Sequence, residues 1–145
     1  MKKILVIALA VVMLVSVFAL TACGSQVYTG ECKYENAWAE GQYYGAKVDV
    51  AVSGGVIKSV KLYTDEETGW TRTTSSWDGY AAAEAAYEAF LNRFVGMTVA
   101  EVNAIVATAT AEGQSVTTEG WAIAGATQSA ARIIVAIQNA LAQIK

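Results

Sequence analysis

Apolar residues alternate with polar or small ones over residues 44–52, so that every second side chain is suited to a core. This period of two is typical of a half-buried antiparallel strand. Residues 53–55, Ser-Gly-Gly, then supply a tight turn, and residues 56–63 predict the return strand of a hairpin. Residues 27–30 predict a short strand before the hairpin, which ends at its glycine.

The chain becomes polar over residues 64–76, which predicts a loop. The alanine-rich segment 80–94 then has large side chains at helical spacing, which predicts a helix that Gly96 ends. The residues on the apolar face of this helix are Tyr80, Tyr87, Leu91 and Phe94.

Two further helices are predicted after Gly96. Thr98 and Glu101 have the spacing of a capping box, which marks the start of the first one. Its buried stripe consists of Val102, Ile105 and Val106. Residues 113–120 are polar and predict a loop or a short edge strand, and residues 129–144 predict the last helix. The apolar face of that helix contains Ile133, Ile134, Ile137, Leu141 and Ile144.

The order of these elements predicts the fold class. A central hairpin precedes a group of helices, with little alternation between the two types of element. This order favours a small single domain of the α+β class, in which helices pack on an antiparallel sheet.

The N-terminal segment predicts export. Residues 1–22 begin with a pair of lysines and continue as an apolar run over residues 4–20, interrupted by a single serine. A short basic region followed by an apolar run and small residues is typical of a signal peptide. An uncleaved membrane anchor is the alternative, and both interpretations place the folded domain outside the cytoplasmic membrane.

Residues 20–23, Leu-Thr-Ala-Cys, resemble the lipobox of bacterial lipoproteins, whose cysteine is acylated and becomes the new N-terminus. The resemblance implies a signal peptide over residues 1–22, a lipid on Cys23 and a short tether over residues 23–26. The folded domain then covers residues 27–145. We expect it on the outer face of the bacterial cytoplasmic membrane, or on another extracytoplasmic membrane surface.

Composition excludes several function classes. The chain has no histidine, so histidine-based catalytic triads and ordinary zinc sites are excluded. Removing residues 1–22 takes away two of the ten basic residues and none of the 13 acidic ones, which leaves a charge of −5. Nucleic-acid binding is therefore not expected. Cys32 is then the only cysteine without a lipid, either as a small buried residue or as a reactive thiol.

The turn before the last helix has the most informative chemistry. Small residues at positions 124–126 let the backbone approach a bulky ligand, and the start of the next helix offers N–H groups to an anion. Thr127 places a hydroxyl group there, as a helix N-cap or as a ligand contact. Among the arginines, Arg132 is the best placed to meet a phosphate, because it lies in the first turns after Thr127.

Several segments resemble, in order and spacing, the FMN-binding domain family. The matching pieces are the opening Tyr-Thr-Gly at 28–30, the strand at 44–50, the glycine-turned hairpin at 55–60 and the Glu-Thr-Gly at 67–69. Residues 124–127, Ala-Gly-Ala-Thr, resemble the family's Ser-Gly-Ala-Thr signature at the start of its C-terminal helix. The family is found in the C subunit of the sodium-pumping quinone reductase, in the Rnf electron-transport complex and in membrane-anchored flavolipoproteins.

This resemblance implies FMN as the cofactor and redox proteins as partners. In the family, a flavin transferase can attach FMN through its phosphate to the threonine of the signature. The corresponding residue here is Thr127, with Gly125 and Ala126 beside the phosphate. The other cofactor-binding residues that we expect are Ser129, Glu67, Thr68, Gly69 and Trp121.

The chain departs from the transferase pattern at two positions. The pattern has Asp and Ser where this sequence has Trp121 and Ala124. Two functions therefore stay open: a lipid-anchored electron-transfer module that holds FMN, or a lipoprotein of the same fold without flavin that binds another ligand or a protein. No catalytic residues stand out, so an electron carrier or a binding protein is favoured over an enzyme. Trp121 either packs against a flavin ring or fills the seam between the last helix and the sheet.

Overall fold

A computed structural model describes residues 24–37, 39–72 and 80–145, with only the backbone of residue 80. The predicted signal peptide and Cys23 lie outside the described residues. In chain order, the elements are strands β1 (Gln26–Glu35), β2 (Tyr43–Ser53) and β3 (Val56–Leu62), helices α1 (Asp65–Thr68), α2 (Tyr80–Asn92) and α3 (Val99–Asn103), strands β4 (Ala107–Ala109) and β5 (Gln114–Val116), and helix α4 (Thr127–Leu141). Within these ranges, no helix has both the length and the apolar character that crossing a bilayer would require.

The strands form two antiparallel sheets around helix α4. The larger sheet has the order β1-β2-β3, and β4 and β5 form a small second sheet. Helix α4 contacts β1 and β2 of the larger sheet and both strands of the small sheet, β4 and β5. This arrangement confirms the predicted α+β class.

The predicted hairpin is confirmed in β2 and β3. Ser53 pairs with Val56, and the two residues between them, Gly54 and Gly55, have φ values of 60° and 75°. Two consecutive residues with positive φ form the turn that matches the twist of the flanking strands, and glycine adopts this backbone without a steric penalty. Val48 and Val50 are buried on the inner face of β2, as the alternation predicted.

Strand β1 extends beyond its predicted end. The sequence predicted a strand that ends at Gly30, but the strand continues to Glu35. Gly30 is buried under α4, where a Cβ atom would overlap the carbonyl oxygen of Ala136 and lie 2.8 Å from the Cβ of Ala140. The glycine therefore serves close packing between strand and helix and does not end the strand.

The loop predicted over residues 64–76 is wrong at residues 65–68, which form α1. Thr64 caps this single turn: its hydroxyl accepts the N–H of Glu67, and the carboxylate of Glu67 accepts the N–H of Thr64 at 2.7 Å. The hydrogen bond from the Thr64 N–H to the carboxylate lowers the pKa of Glu67. Thr64 and Glu67 have capping-box spacing, the signal that the loop prediction missed.

The capping box at Thr98 and Glu101 is confirmed, and it starts α3. The predicted buried stripe is wrong at Val106, which is 59% exposed, whereas Val102 and Ile105 are buried. Helix α3 ends at Asn103, so the helical spacing no longer applies at position 106.

Helix α4 begins at Thr127, two residues before its predicted start, and its predicted apolar face is buried except at Ile144, which is half-buried. Two side-chain amides, one in the last turn of this helix and one just after its end, hold the helix against β1. Asn139 donates to the carbonyl oxygen of Glu31 at 2.8 Å, and Gln143 donates to that of Thr29 at 2.6 Å.

Replacing Gly30 by alanine tests the close packing of β1 against α4. We expect Gly30→Ala to lower the free energy of unfolding by about 3 kcal/mol, because the added methyl group meets helix backbone that cannot move aside locally. Gly113→Ala is the matched control: a Cβ at that position has no heavy atom within 4 Å, and we expect a change within about 0.5 kcal/mol. Urea unfolding measures both variants, and equal midpoints would contradict the packing argument.

Candidate functional site

A pocket of about 650 Å³ opens at the N-terminal end of α4. Its walls come from the end of β1, the start of β2, the connection between β4 and β5, and the first turns of α4. Pockets of about 300–1,000 Å³ are typical of small-molecule sites. Four distant parts of the chain therefore meet in a cavity of the size that a cofactor needs.

The predicted signature segment lies in the wall of this pocket. Gly125, Ala126, Thr127 and Ser129 all line it. Thr127 is exposed, and its hydroxyl has no hydrogen-bond partner within the described ranges. The part of the predicted site at the start of α4 and in the turn before it therefore lines the pocket.

The other predicted residues lie elsewhere. Glu67, Thr68 and Gly69 form the turn and C-cap of α1 and are not part of the pocket wall. Their involvement with a cofactor stays a prediction.

Trp121 also lies outside the pocket wall and packs on aromatic residues at the end of α2. Its ring centroid is 4.8 Å from that of Phe94 and 6.2 Å from that of Phe90. The guanidinium carbon of Arg93 lies 4.0 Å from the centroid of the tryptophan ring. A contact between Trp121 and a flavin likewise stays a prediction.

The first turn of α4 is uncapped. Its N-cap residue is Ala126, which has no side-chain acceptor, so the N-cap alternative for Thr127 is wrong. The first backbone hydrogen bond runs from the N–H of Ala130 to the oxygen of Ala126, at 3.0 Å. The N–H groups of residues 127–129 have no acceptor within the described part of the chain. By contrast, the short helices α1 and α3 both have complete capping boxes.

Arg132 places a buried positive charge beside this turn. The residue is 4% exposed, and its Nε–H donates to the hydroxyl oxygen of Tyr34 at 2.6 Å. Its Nη1 donates to the carbonyl oxygen of Arg72. The guanidinium carbon also lies 4.8 Å from the ring centroid of Tyr44. In the described ranges, no carboxylate is within 4.0 Å of this guanidinium, so Arg132 has no ion pair there.

A buried cation without an anionic partner costs free energy, which a cation–π contact offsets only in part. An anion in the pocket would supply the missing partner. Tyr34 can assist it, because the phenol accepts from Arg132 and keeps its own proton to donate. Burial raises the pKa of Tyr34, and the nearby Arg132 charge offsets this only in part, so the phenol stays protonated at neutral pH.

Arg72 holds the other side of the Arg132 guanidinium in place. Its backbone oxygen accepts from Arg132 and from the hydroxyl of Ser129, the latter at 2.9 Å. Its side chain pairs with Asp65 at 2.7 Å and with Glu84 at 3.4 Å. These ion pairs join α1 and α2 to the back of the pocket.

Sequence reasoning missed Tyr34, Tyr44 and the carbonyl group of Arg72 as parts of the site. Tyr34 belongs to the part of β1 beyond Gly30, which was not predicted as strand. Continued alternation from Tyr28 through Cys32 to Tyr34 was the available signal. No sequence signal identifies a backbone carbonyl group as a ligand.

Cys32 lies in the core below the pocket as a small buried residue. It is 5% exposed, and its thiol donates to the carbonyl oxygen of Ala109 at 3.7 Å. Burial raises the pKa of Cys32 to about 11, although the charge of Arg132 acts in the opposite direction.

Comparison of the chain with protein-family models, curated proteins and solved structures gave no match. The described ranges also contain no group of three or more acidic or cysteine side chains placed to hold a metal ion. The functional conclusion therefore rests on the chemistry of the pocket.

The reactivity of Cys32 tests its burial. In a Cys23→Ser chain at pH 8, we expect labelling of the folded thiol to be roughly two-hundredfold slower than in denaturant, where its pKa returns to about 8.5. The folded state binds the thiol proton of Cys32 more tightly than the unfolded state does. The contribution of this proton to the free energy of unfolding is therefore complete below about pH 8.5 and is lost as the pH rises towards 11. Native labelling as fast as in denaturant would contradict this assignment.

Proposed function

We propose that this chain is a lipid-anchored extracytoplasmic module that binds FMN and transfers electrons. One observation supports it most: the buried charge of Arg132, without a carboxylate partner in the described ranges, lies beside the uncapped start of α4 in a pocket of about 650 Å³. A phosphate monoester carries a charge of about −1.5 to −2 at neutral pH. A bound phosphate would therefore give Arg132 an anionic partner and would give the uncapped start of α4 a hydrogen-bond acceptor.

The phosphate of FMN fits the groups in the pocket wall. The guanidinium of Arg132 and the hydroxyl of Tyr34 would donate to its oxygens, together with the free N–H groups of residues 127–129. Helix N-termini favour phosphate because these N–H groups and the helix dipole act together. The small side chains at positions 124–126 leave room for a bulky ring system near the backbone.

When bound, FMN supplies the redox chemistry. The chain's own residues bind the phosphate, position the cofactor and restrict solvent around it. The ring of Tyr44 packs against the guanidinium of Arg132, whose carbon lies 4.8 Å from the ring centroid. This role needs no catalytic side chain, which agrees with the absence of histidine.

A second candidate function is a lipoprotein of the same fold that binds another anionic ligand. It is favoured by the fact that the groups we identify recognise a phosphate and not specifically a flavin ring. Glu67 and Trp121, which were expected near the cofactor, do not line the pocket.

The role of the phosphate can be tested by comparing FMN with riboflavin, which lacks that group. We expect the chain to bind FMN at least about tenfold more tightly, since hydrogen bonds to charged groups contribute about 1.5–3 kcal/mol. Arg132→Met should remove most of this preference, as measured by flavin fluorescence titration. Riboflavin binding of the same variant reports whether the pocket is intact.

Lys58→Met is the matched control, because Lys58 is exposed and lies outside the pocket wall. We expect it to keep the preference for FMN. Equal affinity of the unchanged chain for both flavins, or equal loss of both in Arg132→Met, would contradict the phosphate assignment. Absence of any flavin binding would favour the second candidate function.

Intact mass after co-expression with a flavin transferase and a supply of FAD tests covalent attachment. We expect an unmodified mass together with reversibly bound FMN, because Trp121 and Ala124 replace the residues of the transferase pattern. An added FMN-phosphoryl mass that is absent from a Thr127→Ala variant would contradict this and assign Thr127 as the attachment residue.

A further inference from the structure

The course of β1 separates the pocket from the proposed lipid. The strand begins at Gln26, three residues after Cys23, and ends at Glu35 in the pocket wall. It has ten residues, and at about 3.3 Å per residue its ends lie about 30 Å apart. Three residues of tether reach at most about 11 Å. We call the end of the domain around Gln26 the tethered end and the end around Glu35 the pocket end.

Helix α4 runs in the opposite direction and preserves this separation. Arg132, near its start, contacts Tyr34 at the pocket end, and Gln143, just after its end, contacts Thr29 near the tethered end. A helix of 15 residues is about 22 Å long. Strand and helix are thus two rigid elements that hold the pocket away from the tether.

Exposed charges differ between the two ends. Val52 pairs with Gln26 on one side and with Ile57 on the other. Lys58 directly follows Ile57, so this exposed lysine lies at the tethered end. At the pocket end, Glu35, Glu40 and Glu112 are exposed together with Lys33, so these four charges sum to −2. Anionic lipid headgroups attract lysine and repel carboxylates, and therefore favour contact through the tethered end. Glu101 caps α3 near the tethered end and adds one negative charge there, so Lys58 and Glu101 together leave this end close to neutral.

We infer that in the anchored protein the pocket faces away from the membrane, and that its partner is a protein that presents its binding surface on the aqueous side and not a quinone held in the bilayer. This inference rests on the proposed lipid anchor and deepens the proposed function by naming the class of partner. The short tether keeps the tethered end at the headgroups, and the length of β1 places the pocket beyond them, on the aqueous side.

Fluorescent labels at the two ends test this orientation in the full lipidated chain on vesicles that contain headgroup-quencher lipids. Lys58→Cys labels the tethered end and Gln42→Cys labels the pocket end; both positions are exposed, and neither side chain has a hydrogen bond or an ion pair in the described ranges. The unchanged chain, labelled in parallel, measures the background from buried Cys32. We expect quenching of the Lys58→Cys label to be several-fold stronger than that of the Gln42→Cys label.

Equal quenching, or stronger quenching at position 42, would overturn the inferred orientation. Chain that stays in the supernatant would overturn the lipid anchor and the orientation with it. FMN titration of the same vesicles separates the two proposals: absence of FMN binding, with the expected quenching pattern intact, would support the orientation and overturn only the proposed cofactor.

Discussion

The close approach of β1 and α4 at Gly30 is the constraint on which the rest of the structure depends. With no side chain at this position, the strand lies directly against the backbone of the helix near Ala136 and Ala140. Rigid packing of two long elements then fixes the direction of α4 across the sheet. This direction decides where the first turn of the helix ends up, and therefore where the pocket lies.

The pocket combines two local features that lower stability unless a ligand compensates for them. A helix that starts at alanine loses about 1 kcal/mol relative to one with a polar N-cap, and the buried charge of Arg132 lacks an ion pair in the described ranges. The same chain caps α1 and α3 completely. Locally unfavourable features in an otherwise well-packed chain are typical of functional sites. One bound anion would compensate for both the missing N-cap and the unpaired charge of Arg132.

The polar contacts behind Arg132 explain how distant segments support one site. The Arg72 carbonyl group receives hydrogen bonds from Arg132 and Ser129, while the Arg72 side chain is paired with Asp65 and Glu84. The acidic turn at residues 65–67 thus supports the pocket from behind through the side chain of Arg72. A short helix can therefore support the pocket without lining it.

The sequence by itself determined the hairpin, the α3 capping box, the apolar face of α4 and the small-residue turn before it, because each depends on neighbours within a few positions. Tertiary structure decided that β1 continues past Gly30, that Val106 is exposed, and that Trp121 packs on Phe90 and Phe94. It also decided that Tyr34 and Tyr44 surround Arg132. Such contacts join residues about 90–100 positions apart, and local spacing contains no information about which distant side chains meet.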